Sequence, residues 1–141
     1  MKPIMASWRR VLLEEKQKDT KKVAKIVIYN NENKVLFLKR TNYLKKHAGE
    51  WDLPGGHAHE DEKLEKAARR ETLEETGLSL GRLEKIKEQG NTTYFKSKYV
   101  DGEIKLSKEH SEFLFRDIKD IKNPDKYEKI AIEVIEKLEN D

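Results

Sequence analysis

Residues 51–78 read WDLPGGHAHEDEKLEKAARRETLEETGL, and the stretch divides into a loop and a helix. Pro54 removes an amide donor and Gly55-Gly56 favours unusual dihedrals, so residues 51–56 are not expected in regular structure. From about Glu60 the composition turns to Glu, Lys, Leu, Ala and Arg, good helix formers, and Gly77 supplies the stop. At about 100° per residue, Leu64, Ala67 and Ala68 form a narrow apolar stripe that would pack on a core. The same stripe, carried forward, meets Glu71, Glu74 and Glu75. Three carboxylates thus occupy the face that the preceding turns give to packing.

That placement has an energetic consequence. Two unit charges ~4 Å apart repel by about 4 kcal/mol at an effective dielectric near 20. Three half-withdrawn carboxylates would raise one another's pKa unless a cation sits among them. Carboxylate oxygens are hard ligands and no Cys or His shares the stripe, which favours Mg²⁺ or Mn²⁺ over zinc. The glycines ahead of the helix let backbone atoms approach such a site closely. Arg70 stands one turn before Glu74, spaced for an i,i+4 pair that could orient that carboxylate. The plainer alternative is a surface helix with ordinary Glu/Arg pairing.

The same residues resemble the Nudix box of the MutT-like Nudix hydrolases. The match runs from Gly56 through Glu62, Arg70-Glu71, Leu73, Glu74-Glu75 and Gly77 to Leu78, with each fixed letter at its spacing. Thr72 departs from the pattern, where the family usually has an aliphatic residue, and so does Asp61, where a glycine often stands. The resemblance implies a catalytic loop–helix–loop that holds divalent metal over a diphosphate. It assigns Glu71, Glu74 and Glu75 as metal ligands, helped by the Gly55 carbonyl, with Glu62 near the metal shell and Arg70 orienting the carboxylates. Mg²⁺ is the implied cofactor, with Mn²⁺ as a substitute. The implied substrate is a nucleoside diphosphate linked to a further group.

Composition bounds the rest. A chain of 141 residues is expected to form one domain, with residues 1–20 as an extension or covering element that carries Trp8, Val11 and Leu12. There is no Cys, which suits a reducing cytoplasm and excludes a thiolate metal site. No apolar run is long enough for a membrane span or a signal peptide. Lys+Arg and Asp+Glu nearly balance at 30 and 27, so the net charge of +3 would attract an anionic nucleotide without arguing for a specific nucleic-acid partner. A homodimer stays open.

Before the box, Val23 to Tyr29 (VAKIVIY) reads as a buried strand, Asn30 to Asn33 as a turn, and Lys34 to Arg40 as the returning strand. Thr41 to Glu50 is a polar loop containing Lys45-Lys46. Lys39 and Arg40 at the strand's end are either phosphate-facing, as such residues often are in Nudix proteins, or a basic edge against aggregation. After the box, Asn91 to Val100 reads as a strand centred on Tyr94 and Phe95. Asp101-Gly102 signals a hairpin to a short strand over Glu103 to Leu106. Phe113 to Phe115 reads as an apolar strand and Asp117 to Ile121 as one helical turn. Pro124 opens a final amphipathic helix with the stripe Tyr127, Ile130, Ala131, Val134, Ile135 and Leu138. The predicted architecture is α/β (α+β): a mixed sheet between helices, the α/β/α sandwich that the resemblance also implies.

For the proton taken from water, Glu71 is one candidate. In several Nudix enzymes a glutamate from the loop before the last strand reaches the metal, and Glu109 matches that position best, ahead of Glu112; His110 is a further candidate base. His57 and His59 read as substrate-edge or solvent residues, and Gly56 as part of the substrate-facing loop. Tyr94 lies sixteen residues past Leu78, as a Tyr tends to in diadenosine polyphosphate hydrolases of the family. House-cleaning hydrolysis of oxidised or non-standard nucleoside triphosphates is the rival activity. A Nudix-fold binding module is the rival class, disfavoured by the intact carboxylates.

Overall fold

A computed structural model describes residues 19–42 and 48–141; Trp8, Val11, Leu12 and Lys45-Lys46 lie outside them. Its strands are β1 (Asp19–Tyr29), β2 (Val35–Arg40), β3 (Trp51–Asp52), β4 (Gly55–His59), β5 (Glu84–Gln89), β6 (Thr92–Lys98) and β7 (His110–Arg116). The helices are α1 (Leu64–Thr76), α2 (Lys126–Asn140) and a 3₁₀ turn at Ile118–Asp120. The sheet runs β3-β2-β1-β6-β5, with β4 added to β1 and β7 to β2. The β1–β6 pair is parallel and the other ladders are antiparallel, so the sheet is mixed as expected.

Period-2 alternation along the central strands sorts their side chains onto two faces. Ala24, Ile26, Ile28, Leu36 and Leu38 pack with Ala67 and Ala68 of α1. Val27, Val35 and Phe37 pack with Ile130, Ala131, Val134 and Ile135 of α2. The chain is an α/β/α sandwich. Fully buried side chains such as Ile26, Phe37 and Leu38 each contribute about 1.5–3 kcal/mol by leaving water.

One irregularity positions everything that follows. β1 and β2 meet at a registered pair, Tyr29 with Val35, and then part. The box loop fills the wedge between them. β3 pairs with β2 through Leu38 and Asp52, β4 pairs with β1 through Val23 and His57, and between them the Pro54 carbonyl accepts from Ile26 N at 2.9 Å. The expectation that residues 51–56 lie outside regular structure is therefore corrected. The glycines do not break the strands; they let two short ones be added edge-on.

Other boundaries also move. α1 starts at Leu64 rather than near Glu60, because Asp61 adopts a left-handed φ of 64° and the Glu62 side chain accepts from His59 N. The hairpin lies at Gly90 (φ 60°), between β5 and β6, and not at Asp101-Gly102. Residues 103–106 form no strand. They cap α1 instead: Lys105 N donates to Thr76 O at 2.8 Å and Ser107 N to Glu75 O at 3.0 Å. A helix with no basic residue in its last turn has its final carbonyls satisfied in this way. β7 extends beyond Phe113–Phe115, and Phe113 and Leu114 on it are exposed rather than core. The α2 stripe is as expected, opened by a reciprocal Asp125–Glu128 capping box.

Candidate functional site

The wedge brings the box loop against both β1 and α1, and the two glycines make that approach sterically feasible. Gly55 has φ 125°, and a Cβ added there would lie 2.1 Å from the Ala24 carbonyl oxygen. A Cβ on Gly56 would lie 2.7 Å from the Glu71 carboxyl group. Gly55 N–H donates to a Glu75 carboxylate oxygen at 2.8 Å. The backbone of residues 55–56 is thus pressed against two carboxylates of the helix.

Those carboxylates are under electrostatic load. Burial pushes the Glu75 carboxyl up to about 8, although the Lys25 ammonium and the Gly55 amide oppose the shift. Burial also raises Glu71, Arg70 works against it, and the neighbouring charges of Glu74 and Glu109 add to it. Glu74 is different. Its side chain is 58% exposed and pairs with Arg70 at 3.3 Å. The same Arg70 nitrogen reaches both Glu71 and Glu74, so Glu74 stays next to Glu71 while its side chain is more exposed.

Arg70 is the hub behind this wall. Its guanidinium forks onto Glu62 at 2.9 and 3.1 Å and also reaches Glu71 at 3.1 Å and the His57 carbonyl at 3.0 Å. The Arg70 bonds hold Glu62 below its usual range, so this carboxylate is spent on orienting the loop. The expected Arg70–Glu74 pair exists and is the weakest of the set.

Across the loop lies a second charged cluster. The Lys25 ammonium, on β1, donates to Asp52 Oδ1 at 3.0 Å, Leu53 O at 3.0 Å and Gly55 O at 3.3 Å. Burial alone would push Lys25 down, but Asp52 and Glu75 more than offset it, so its pKa lies above the ordinary lysine value. Burial likewise works against Asp52, yet Lys25 and His110 hold it down at about 2. Arg40 stands 3.6 Å and His110 3.8 Å from the other Asp52 oxygen.

Between the two clusters opens a cavity of about 510 Å³. Of the residues singled out in the sequence, Glu71, Glu75, Gly55, Gly56, His57, Arg40 and Glu109 line it. Glu62 and Arg70 stand behind the wall and Glu74 outside it. Lys39 is not brought in: it points to the opposite face from Arg40 and pairs with Glu112 at 3.4 Å, which also takes Glu112 away. Tyr94 is buried in the α2-side core, edge-on to Tyr127 with ring centroids 6.4 Å apart. His110 is buried against Asp52, and neither ring nitrogen makes a hydrogen bond among the described residues. The sequence reading missed Lys25, Trp51, Asp52 and Tyr127, which also line the cavity. A lysine in the middle of the apolar run VAKIVIY was the available signal.

Among the described residues, no three His, Cys, Asp or Glu side chains converge closely enough to hold an ion alone. Two half-buried to buried carboxylates against the Gly55-Gly56 backbone suit a hard cation that keeps waters and takes further oxygens from a phosphate, which is the habit of Mg²⁺. The raised Glu71 and Glu75 point the same way: burial disfavours their ionised forms by more than Arg70 and Lys25 favour them, which leaves room for a further cation.

A two-faced sandwich whose wedge presents a Gly-Gly loop to helical carboxylates defines a Nudix-type domain. A family model described as the NUDIX domain matches residues 19–138, and the chain belongs to the Nudix family. It is 42% identical over 55 residues to the m7GpppN-mRNA hydrolase NUDT17 of Danio rerio, across 39% of this chain and 18% of that protein. It is 40% identical over 61 residues to a candidate 8-oxo-dGTP diphosphatase of Bacillus subtilis (strain 168), across 43% of this chain and 38% of that protein. The chain therefore matches well under two thirds of either curated relative. Among solved structures, the MutT protein of Methanosarcina mazei Go1 superposes with a TM-score of 0.69 at 26% identity, over 84% of this chain and 94% of that one. No helix among the described residues is long and apolar enough to cross a membrane.

Proposed function

We propose that this chain is a Mg²⁺-dependent nucleotide pyrophosphohydrolase that cleaves a pyrophosphate bond in a nucleoside diphosphate linked to a further group, with Mn²⁺ as a substitute ion. The observation that carries this reading is the facing of Glu71 and Glu75 onto the Gly55-Gly56 backbone inside the cavity. Glu71, Glu75 and the Gly55 carbonyl would hold the ion. Glu74 would join them, because its exposed pair with Arg70 is worth at most about 1 kcal/mol and does not prevent a turn inward. The ion, when bound, supplies Lewis acidity at a phosphoryl oxygen and makes water a better nucleophile.

The protein's own residues supply the rest. Arg40, on the cavity wall, would bind a phosphate oxygen, and Arg70 keeps Glu62, Glu71 and the His57 carbonyl in register. Water adds to phosphorus, the bridging oxygen leaves with the departing phosphate, and a carboxylate takes the water's proton. Glu109 is the acceptor we favour, since it lines the same cavity and is exposed enough to pass the proton to solvent. Glu71 is the alternative, while His110 and Glu112 face elsewhere.

A second reading of the substrate is the house-cleaning hydrolysis of non-standard nucleoside triphosphates. It is favoured over dinucleoside polyphosphates by the burial of Tyr94, which removes that positional hint, and by the local similarity to the Bacillus subtilis protein. The test is a panel of diadenosine polyphosphates, ADP-ribose, nucleotide sugars, canonical and oxidised nucleoside triphosphates and 5′-triphosphate RNA, with Mg²⁺ or Mn²⁺ and chromatography of products. Nucleoside monophosphate plus pyrophosphate identifies the triphosphate reading, and paired nucleotides identify the dinucleotide one. Metal-independent or absent turnover across the panel sinks the hydrolase proposal in favour of a binding module.

A further inference from the structure

Lys25 is a fully buried cation on a central strand, directed at the one loop that the site cannot do without. All three protons of its ammonium are committed, to Asp52 Oδ1 at 3.0 Å, Leu53 O at 3.0 Å and Gly55 O at 3.3 Å. It therefore has no donor left for a ligand phosphate, although it lines the cavity. Its three acceptors come from four successive residues, and those residues are the ones that cross from β3 to β4 inside the wedge. Pro54 cannot contribute an amide there, so the loop has few bonds of its own with which to fix its course. On the β1 side the crossing is held by the bond from Ile26 N to Pro54 O at 2.9 Å and, from Gly55 onward, by the β1–β4 ladder.

We propose that Lys25 is a positioning residue for the site: by gathering Asp52, Leu53 and Gly55 onto one ammonium, it fixes the direction of the Gly55 peptide that faces Glu75. This rests on the reading of Gly55 and Glu75 as part of a metal-binding set. Gly55 carries both ends of the device, its carbonyl held by Lys25 and its amide held by Glu75 at 2.8 Å. Without the ammonium, the Gly55 carbonyl loses its side-chain donor, and the crossing keeps only the Glu75 bond to the Gly55 amide and the backbone bonds to β1. A charge in this place is also matched by the partner it holds, since Asp52 is itself buried. The pair can thus be removed together without a change in net charge, although Glu75 and Arg40 each lose a facing opposite charge.

The test is the double variant Lys25→Met/Asp52→Asn, read by amide hydrogen exchange in the metal-free protein and by Mn²⁺ titration. We expect the Gly55 amide to exchange at least tenfold faster while Phe95 in β6 keeps its protection, and the Mn²⁺ dissociation constant to rise tenfold or more. With substrate, kcat should fall and KM should stay within about threefold. Should the double variant not fold, Lys25→Arg is read in the same way, as it keeps the charge but not the threefold placement of donors. Native Gly55 protection together with native Mn²⁺ affinity in the variant that folds overturns the proposal. Glu75→Gln is the control for the underlying reading. If it leaves Mn²⁺ binding intact, the metal assignment fails, and the Gly55 exchange result still decides the role of Lys25.

Discussion

The Gly55 amide donates to the Glu75 carboxylate at 2.8 Å across twenty residues of chain, and this bond joins the loop of the site to its helix. It satisfies one lone pair of a buried acid whose pKa is pushed up to about 8 by burial.

Glu75→Gln keeps an acceptor for that amide while removing the charge. Turnover at saturating Mg²⁺ should fall by on the order of 10²-fold or more. In the metal-free protein the sign is opposite. A carboxyl with a raised folded pKa contributes its full stability below the unfolded value near 4.3 and loses it as pH rises toward about 8. The wild type should therefore weaken over that window in EDTA. The variant should not, and should be more stable by about 1–3 kcal/mol at pH 9 in urea unfolding.

The two glycines should separate fold from chemistry. Gly55→Ala puts a Cβ 2.1 Å from the Ala24 carbonyl at φ 125°, and should destabilise by more than about 4 kcal/mol or prevent folding. Gly56→Ala meets first the Glu71 side chain, 2.7 Å from its carboxyl group, which is the end of a flexible side chain. It should melt near the wild type and lose turnover by about 10²-fold as Glu71 is displaced. Paired thermal melts and rates check both.

Asp52 predicts an acid limb. Burial opposes its ionisation, Lys25 overcomes this, and the folded pKa falls to about 2. A depressed carboxyl contributes stability above its unfolded pKa near 3.9 and loses it as pH falls through about 2. Two units correspond to about 2–3 kcal/mol. Asp52→Asn should flatten stability between pH 4 and 2, and at pH 7 should be destabilised by about 3–5 kcal/mol because Lys25 is left buried without its counter-ion.

Thr72 and Asp61 depart from the family pattern, and each has a local consequence. Thr72 is fully buried and its hydroxyl has no hydrogen-bond partner among the described residues. Thr72→Val should raise stability by about 1 kcal/mol, with activity unchanged. Asp61 sits at φ 64°, a conformation that glycine adopts without strain, and Asp61→Gly should stabilise by about 0.5–1 kcal/mol. Chemical denaturation of the two single variants measures both.

Tyr94 offers a check on substrate choice. Its ring packs on Tyr127 in the core, so Tyr94→Phe should leave the ratio of rates on diadenosine tetraphosphate and nucleoside triphosphates within about twofold. A selective loss on the dinucleotide would restore Tyr94 to the site.

The box was legible because its spacing is dense and local: Glu71 and Glu75 share a helix face, and Gly55-Gly56 precede it. What could not be read were partnerships fixed by the sheet. Lys25 and Asp52 are 27 residues apart and meet only because β1 and β2 part to admit the loop. Glu74 lies on the same stripe as Glu71 by angle, yet it is far more exposed while sharing Arg70 with it, and a wheel contains no such difference. The Asp101-Gly102 signal failed because β6 finds its neighbours in β1 and β5, which leaves nothing for residues 103–106 to pair with except the end of α1.

The capping of α1 by Lys105 and Ser107 gives the cavity one stiff side. Glu109 follows two residues after Ser107, so the loop that carries it travels with the helix that carries Glu71 and Glu75. Three of the acidic groups facing the cavity therefore form one mechanical unit. The opposite side of the cavity is formed by Lys126 and Tyr127 at the start of α2, which belong to a different element from those acids. Homologous chains that share this chemistry but differ in substrate would be expected to vary first in the turn before α2.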